Sequence, residues 1–532
     1  MENILSENQP KRNIVIFGYN DEVRELLNDY RPESSVCVNI VTANSPENGE
    51  LRRMEKKGYR FYFVDIINCA ENEPKEILSE TNIDTATNVI LFEKTSANLS
   101  ILKIFALNSD DPDWKIRLPK GAKISCYCED TAAKELIEEY YDGFKGRACF
   151  DLELFDIPEL RVRKMFGEIP LYGYYTNKNV PLSQWNTKLL LVGFTSVGRE
   201  ILLQVMNLAV MHEKNSIEVD VFDSDIENKA SVFANELSRE AFDFDGSSIR
   251  MKPTTADGNI VFRFHNTNAF DIIRDNTRKS PYTYIVVDVD DKEKSTDCAL
   301  KLKSYQEFDS EQVPLVTRTD FERRFAGFEN INDFAFSGTS HGKSALTLDM
   351  IIDSEFYSEA KKINHIYNNI LFTEKGENVR AVEEKDPDDE WNEMPMFKRN
   401  SSKAAAYHDK VKDVVFEKLA REYGVNLDEK LESLMGENGT LFRYNGTSWE
   451  IDGTDEEFIQ KLKSDGFAYE IASLEHRRWC CYFASRGWHC DKRDNRLKRH
   501  PCIVTEEKLI ETRPDMVKYD LMSLMLRYIA EK

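Results

Sequence analysis

Five side chains able to hold a nucleotide recur at helical spacing near the C-terminus: Glu475, Arg478, Trp479, Tyr482 and Arg486, within IASLEHRRWCCYFASRGWHC. Intervals of three and four residues place them on one stripe of a helix. Aromatic rings there would stack a base, and arginines would fork onto phosphate. The same residues also fit a structural reading. In that reading Glu475 and an arginine form a short-range helical ion pair, and Trp479 and Trp488 fill a small core. From Arg477 to Arg499 the basic residues 477, 478, 486, 492, 493, 496, 498 and 499 face only Asp491 and Asp494.

A second chemistry is suggested by two glycine turns. Residues 14–27 read IVIFGYNDEVRELL and residues 189–202 read LLLVGFTSVGREIL, so Gly18 aligns with Gly193, Arg24 with Arg199 and Glu25 with Glu200. A dinucleotide turn uses three glycines: one for the turn, one for close approach of a pyrophosphate, one for helix packing. The first copy keeps only Gly18, and its second strand ends in Val41-Thr42-Ala43, with no acid to hold a ribose. The second copy keeps Gly193 and Gly198 around Thr195, and its second strand ends at Asp223, followed by Asp225. Asp223 would hold ribose, and the helix opening near Ser196 would offer N–H groups to phosphate. A packed sheet with an empty turn is the alternative, since Thr195 adds a side chain where backbone should approach phosphate. Arg318, at the end of the run VPLVTRT, is expected beside any ligand entering between domains.

Other motifs do not carry their chemistry through. SGTSHGKSALT (337–347) follows a possible strand and opens a helix, which invites a phosphate-loop reading. Counting back from Gly342, however, puts Ser337 where the first glycine belongs. Cys480, Cys481, His489, Cys490, His500 and Cys502 lack metal-ligand spacing, and adjacent cysteines on a helix point about 100° apart. No GxSxG, HExxH or paired-carboxylate pattern is present, so neither catalytic residues nor metal ligands are expected.

The elements that must position these residues follow from the apolar runs. After each glycine turn come further strand-like segments: SVCVNIVT, YRFYFVD, NVILFEK and ISCYCED in the first copy, IEVDVFD, NIVFRFH, TYIVVDV and VPLVTRT in the second. Strands alternating with helical patterns predict parallel sheets with right-handed crossovers. The expected class is α/β: two tandem doubly wound parallel-sheet (Rossmann-type) domains followed by a mainly α-helical domain. The expected boundaries are 1–150 and 186–370 for the two sheets, with a connector at 151–185. A charged connector with helices at 371–439 precedes the C-terminal domain at 440–532.

With 532 residues, 41% hydrophobic and 31% charged, the chain is too long for one ordinary core. Its net charge of -23 argues against general nucleic-acid or anionic-membrane binding. No run approaches the ~20 apolar residues of a bilayer span, and MENILSENQPKRN lacks a signal-peptide core. Ten scattered cysteines without a CxxC pair fit a reducing, cytoplasmic setting.

Together with NVILFEKTSANLSILKIFAL and its Asn98, the two glycine-turn segments resemble RCK domains of the Trk type (regulators of potassium conductance). The resemblance covers most of residues 11–350 and implies binding of adenine nucleotides or dinucleotides, and pairing between copies. Glu475-His476-Arg477-Arg478-Trp479, Gly487-Trp488 and His500-Pro501 resemble the ryanodine-receptor (RyR) domain over roughly 440–532, and 391–415 resembles the segment preceding that domain in bacterial proteins. Residues 503–505, Ile-Val-Thr, depart from that family's apolar-Pro-Trp run. The resemblances imply a nucleotide-sensing regulatory protein without catalysis. Its ligand would be an adenine nucleotide, a dinucleotide or a nucleotide second messenger. It would form a homo-oligomer, act on an effector or channel protein, and serve bacterial defence or ion homeostasis. A structural adaptor with vestigial Rossmann domains and a nucleotide-using enzyme are the competing expectations.

Overall fold

The computed structural model describes residues 12–28, 30–65, 78–107, 118–143, 150–256, 259–267, 282–289, 291–305, 313–317, 331–333, 339–340, 343–344, 346–352, 355–369, 372–374, 386–444 and 448–530. They divide into two compact units. One comprises Met1–Arg161, Gly338–Ser358 and Asp386–Arg399; the other comprises Val162–Ser337, Glu359–Lys385 and Asn400–Lys532.

The first unit is built on β1 (Arg12–Phe17), β2 (Val36–Thr42), β3 (Tyr59–Phe63), β4 (Asn88–Leu91), β5 (Ala122–Tyr127) and β6 (Phe150–Phe155). Their order is β3-β2-β1-β4-β5-β6, with every neighbouring pair parallel. Because side chains alternate across a strand, Ile14, Ile16, Val38 and Ile40 enter the core on one face while Val15, Phe17, Val41 and Val89 enter the other. Burial on both faces explains why β1 reads as a continuous apolar run.

β6 lies where a connector is expected, so the segment 151–185 opens inside this sheet rather than after it. Its sequence, FDLELF, alternates acids with apolar residues, and both acids have partners. Glu153 pairs with Lys123, and Asp151 accepts from Arg399 at 2.9 Å. Arg399 is fully buried and also donates to the Leu152 carbonyl and the Tyr141 hydroxyl. Residues 386–399, expected as part of a charged connector, therefore belong to this unit. Trp391 is buried beside Arg399 and donates to the Tyr357 hydroxyl at 3.0 Å. Among the described residues of the phosphate-loop lookalike, Thr339–Ser340 and Lys343–Ser344 pair antiparallel, and the next described helix starts at Asp349.

The second unit carries β7 (Thr187–Val192), β8 (Ile217–Phe222), β9 (Phe242–Phe244), β10 (Ser248–Met251), β11 (Ile260–His265), β12 (Tyr284–Val287), β13 (Leu315–Thr317) and β14 (Ile331–Asp333). The sheet runs β14-β13-β12-β7-β8-β11-β10-β9. From β14 to β11 all neighbours are parallel and repeat the topology of the first sheet. The antiparallel hairpin β9–β10 extends the edge beyond β11. Both sheets thus reverse winding direction beside their glycine-turn strand, the place where doubly wound folds leave a crevice.

The C-terminal part is mainly helical, with helices Leu427–Met435, Asp455–Ser464, Gly466–Ala484, Glu506–Thr512 and Met522–Ala530 around a small sheet of Phe372–Glu374, Trp449–Ile451 and Phe442–Tyr444. Its apolar core is continuous with that of the second sheet: Val197, Ile201, Ile471, Leu474 and Cys481 belong to one cluster. No helix among the described residues is long and apolar enough to cross a membrane.

Candidate functional site

The better preserved turn begins where β7 ends. Gly193 has φ +87° and donates its N–H to the Phe222 carbonyl at 2.7 Å. A Cβ on Gly193 would lie 2.1 Å from the Asp288 carbonyl oxygen, so both the backbone conformation and the space require glycine. Thr195 then caps the helix Ser196–Leu208, accepting the Val197 N–H on its hydroxyl at 3.1 Å.

That helix start is already occupied. Asp288, directly after β12, is fully buried and places Oδ2 on the helix N-terminus. The oxygen accepts the Gly198 N–H at 2.9 Å, the Thr195 hydroxyl at 2.5 Å and the Thr195 N–H at 3.4 Å. Buried carboxylates require donors, and first-turn N–H groups at the positive end of a helix supply them. Asp288 thus takes the place expected for a phosphate. Its signal was legible as an acid ending the apolar run TYIVVDV, but nothing local says that it crosses to a turn 93 residues away.

Asp223 braces the same turn. Its Oδ2 accepts the Phe194 N–H and Lys229 Nζ, each at 2.8 Å, and its Oδ1 accepts the Asp225 N–H at 2.9 Å. Burial opposes its charge, but the hydrogen bonds from Lys229, Asp225 and Phe194 outweigh it and hold the carboxyl below its ordinary pKa. Gly198 is needed for packing: a Cβ there would stand 3.2 Å from both the Asp288 carboxylate and the Phe194 ring. Arg318 lies outside the described residues.

The first copy is closed differently. Gly18 has φ +101°, and a Cβ on it would lie 2.7 Å from the Phe92 carbonyl. Asn20 accepts the Val23 N–H at 2.9 Å, so a side-chain amide caps this turn. Asn98, fully buried, accepts the Glu93 N–H and donates to the Glu93 and Tyr127 carbonyls, joining the ends of β4 and β5.

The C-terminal stripe lies on the helix Gly466–Ala484, and the structure splits it. Glu475 and Arg478 form a two-point ion pair of 2.9 and 2.7 Å, and Arg478, 2% exposed, reaches Asn207 at 3.4 Å. Lys412 adds a cation 3.6 Å from Glu475. Burial disfavours the Glu475 charge, but Arg478 and Lys412 bring its pKa down to about 2. Burial, then the charges on Arg478 and Lys412, push His408 well below its ordinary range.

Trp479 instead joins His476, Phe483 and His500, with ring centres 4.6 Å from Phe483 and 5.1 Å from His500. Arg486 lies over the Tyr482 ring, 4.0 Å from its centre, and donates to the Tyr482 carbonyl. The cavity beside Glu475, lined also by His408, Lys412 and Ser523, holds about 20 Å³. That is room for one water and far below the ~300 Å³ of a small-ligand pocket.

The two predicted sites therefore do not converge. They sit at opposite ends of the helix Ser196–Leu208, whose rise separates Ser196 from Asn207 by about 17 Å. Among the described residues no group of three or more His, Cys, Asp or Glu is placed to hold a metal. Cys480 is buried near His476, Cys481 packs against Met211 and Met251, and Cys490 is exposed.

No known family profile matches the chain, and no curated protein matches it. Solved structures with which it shares similarity include a point mutant of GsuK, at 12% identity and a TM-score of 0.31, over 60% of this chain and 62% of that one. A dipicolinate synthase subunit from Bacillus halodurans is similar at 8% identity and a TM-score of 0.20, over 64% of this chain and 91% of that one. The chain thus spans under two thirds of the GsuK chain it matches.

Proposed function

We propose that this chain is a regulatory binding protein that takes a nucleoside or nucleotide at the carboxyl end of the second sheet and passes occupancy to its C-terminal helices. The observation that carries the reading is the helix Ser196–Leu208. It starts at the Gly193 turn and ends against Arg478 through Asn207, so one packed element joins the crevice to the helical region. Gly193, Thr195, Gly198 and Asp223 line the ligand end; Glu475, Arg478, Trp479, Tyr482 and Arg486 belong to the responding end rather than to the pocket.

An adenine nucleotide, a dinucleotide or a nucleotide second messenger is the ligand class in this reading, as the resemblance of the two glycine-turn segments to RCK domains implies. The C-terminal helices act as an RyR-like regulatory module. Occupancy would alter a homo-oligomer or an effector or channel partner, in bacterial defence or ion homeostasis.

One observation favours a second reading, a structural adaptor with a vestigial crevice: the Asp288 carboxylate already occupies the helix N-terminus. The deciding experiment is calorimetry on the full chain with adenosine, AMP, ADP, NAD+ and cyclic dinucleotides. Saturable binding by at least one, weakened about tenfold or more by Asp223→Ala, is expected, since a ribose diol loses its charged acceptor. Heat-silent titrations with every member would overturn the sensor and leave the adaptor.

A further inference from the structure

The loop between Trp488 and Pro501 is not used by the proposed ligand site, and its chemistry is opposite to that of the chain. The protein carries a net charge of -23, yet residues 491–499 hold Lys492, Arg493, Arg496, Lys498 and Arg499 against Asp491 and Asp494. Lys492, Arg493 and Arg496 are exposed, and Leu497, directly after Arg496, is 52% exposed. Among the described residues none of these three cations is held in an ion pair, whereas Arg499 is paired with Asp491 at 3.0 Å.

The loop is held in one shape. His489 donates to the Lys498 carbonyl and His500 to the His489 carbonyl, while Asp494 and Arg499 exchange backbone hydrogen bonds of 3.1 and 2.9 Å. Asp494 spends its carboxylate on the Arg496 and Leu497 N–H groups, at 3.0 and 3.1 Å. Lys498 is driven to φ +53°, a conformation that side-chain-bearing residues adopt only when their surroundings impose it. At its base Trp488 is 4% exposed and packs edge-on against Phe483. A solvated charge run needs no such scaffold. This one presents cations and an apolar residue in fixed positions.

We propose that this loop is a docking surface for an acidic peptide segment of a partner protein, one carrying an apolar residue among its carboxylates. Lys492, Arg493 and Arg496 supply charge complementarity, and Leu497 supplies the apolar contact. The surface is poorly suited to nucleic acid. Trp488 is turned inward, so its ring is not presented for base stacking. A phosphate backbone longer than the loop would also run onto a strongly acidic protein.

The test is fluorescence anisotropy on the full chain with a labelled peptide of glutamate pairs separated by leucines. The same peptide with serine for leucine and a labelled oligothymidylate serve as comparisons. The leucine peptide is expected to bind best. Lys492→Glu with Arg496→Glu should weaken it about tenfold or more, and Leu497→Ser several-fold. Lys492→Gln with Arg496→Gln, a milder pair with unchanged thermal melting, should fall between. No peptide binding, binding indifferent to these substitutions, or oligothymidylate binding as tightly as the peptide would each overturn the proposal.

Discussion

The two doubly wound sheets share topology yet close their glycine turns by different means. Gly18 and Gly193 each donate to the end of the neighbouring strand, to Val41 and Phe222 respectively. Each is crowded by the residue after the next strand, Phe92 in the first sheet and Asp288 in the second. Phe92 stacks on Tyr127 and gives the turn only its carbonyl, which accepts from Asn20 Nδ2 at 3.4 Å, while Asn20 Oδ1 caps the turn locally. Asp288 reaches across and caps the following helix itself. The helices differ accordingly: Asp21–Asn28 has eight residues and an exposed face, whereas Ser196–Leu208 has thirteen and is buried almost throughout, with the helix Gly466–Ala484 packed on it. One shared backbone path therefore serves as a locally capped turn in one copy and as a connecting element in the other.

The comparison breaks most sharply at the far end of the longer helix. Arg478→Ala should cost about 3–5 kcal/mol in urea unfolding, because it leaves Glu475 buried without its main partner. Glu475→Gln gives the matching pH test. A carboxyl held at about 2 in the fold, against 4.5 unperturbed, adds stability above pH 4.5 that is lost as pH falls toward 2. The stability gap between the parent and Glu475→Gln should therefore narrow over that window. A gap independent of pH would dissociate the pair from stability.

The turns themselves come next. Gly193→Ala should cost about 3 kcal/mol, from positive φ and collision with the Asp288 backbone combined. Gly18→Ala should cost less, since its new Cβ meets Phe92 at 2.7 Å rather than 2.1 Å. Equal losses in chemical denaturation would mean that conformation alone decides.

Removing the cap in the second copy is a smaller change. Asp288→Ala should cost about 2 kcal/mol, the loss of a capping acceptor with donors left buried. It should also raise affinity for a phosphate-bearing nucleotide, read by calorimetry, because the helix N-terminus is vacated. Unchanged affinity would show that no phosphate approaches there. The smallest effect separates the aligned arginines. Arg199→Ala, losing its pair with half-buried Glu236, should cost about 1 kcal/mol, while Arg24→Ala, more exposed beside Asp21 and Glu50, should fall within about 0.5 kcal/mol of parent. Reversal of that order in thermal melting would contradict the burial argument.

By itself, the sequence determined the two sheets and the places where they turn. Runs such as IVIF and LLLV are apolar because both faces of a central parallel strand are buried, and Gly18 and Gly193 are required by positive φ, so both signals are local. The tertiary structure alone decided the rest. FDLELF does not read as a buried strand until Arg399, 248 residues away, accounts for Asp151. The stripe from Glu475 to Arg486 is one face by spacing, but Asn207 and Lys412 claim its acid and arginine while His500 claims Trp479. Asp288 reads as any strand-ending acid until the fold sets it on Gly198. A buried charge is placed by its partners, and partners distant in sequence leave no periodic mark.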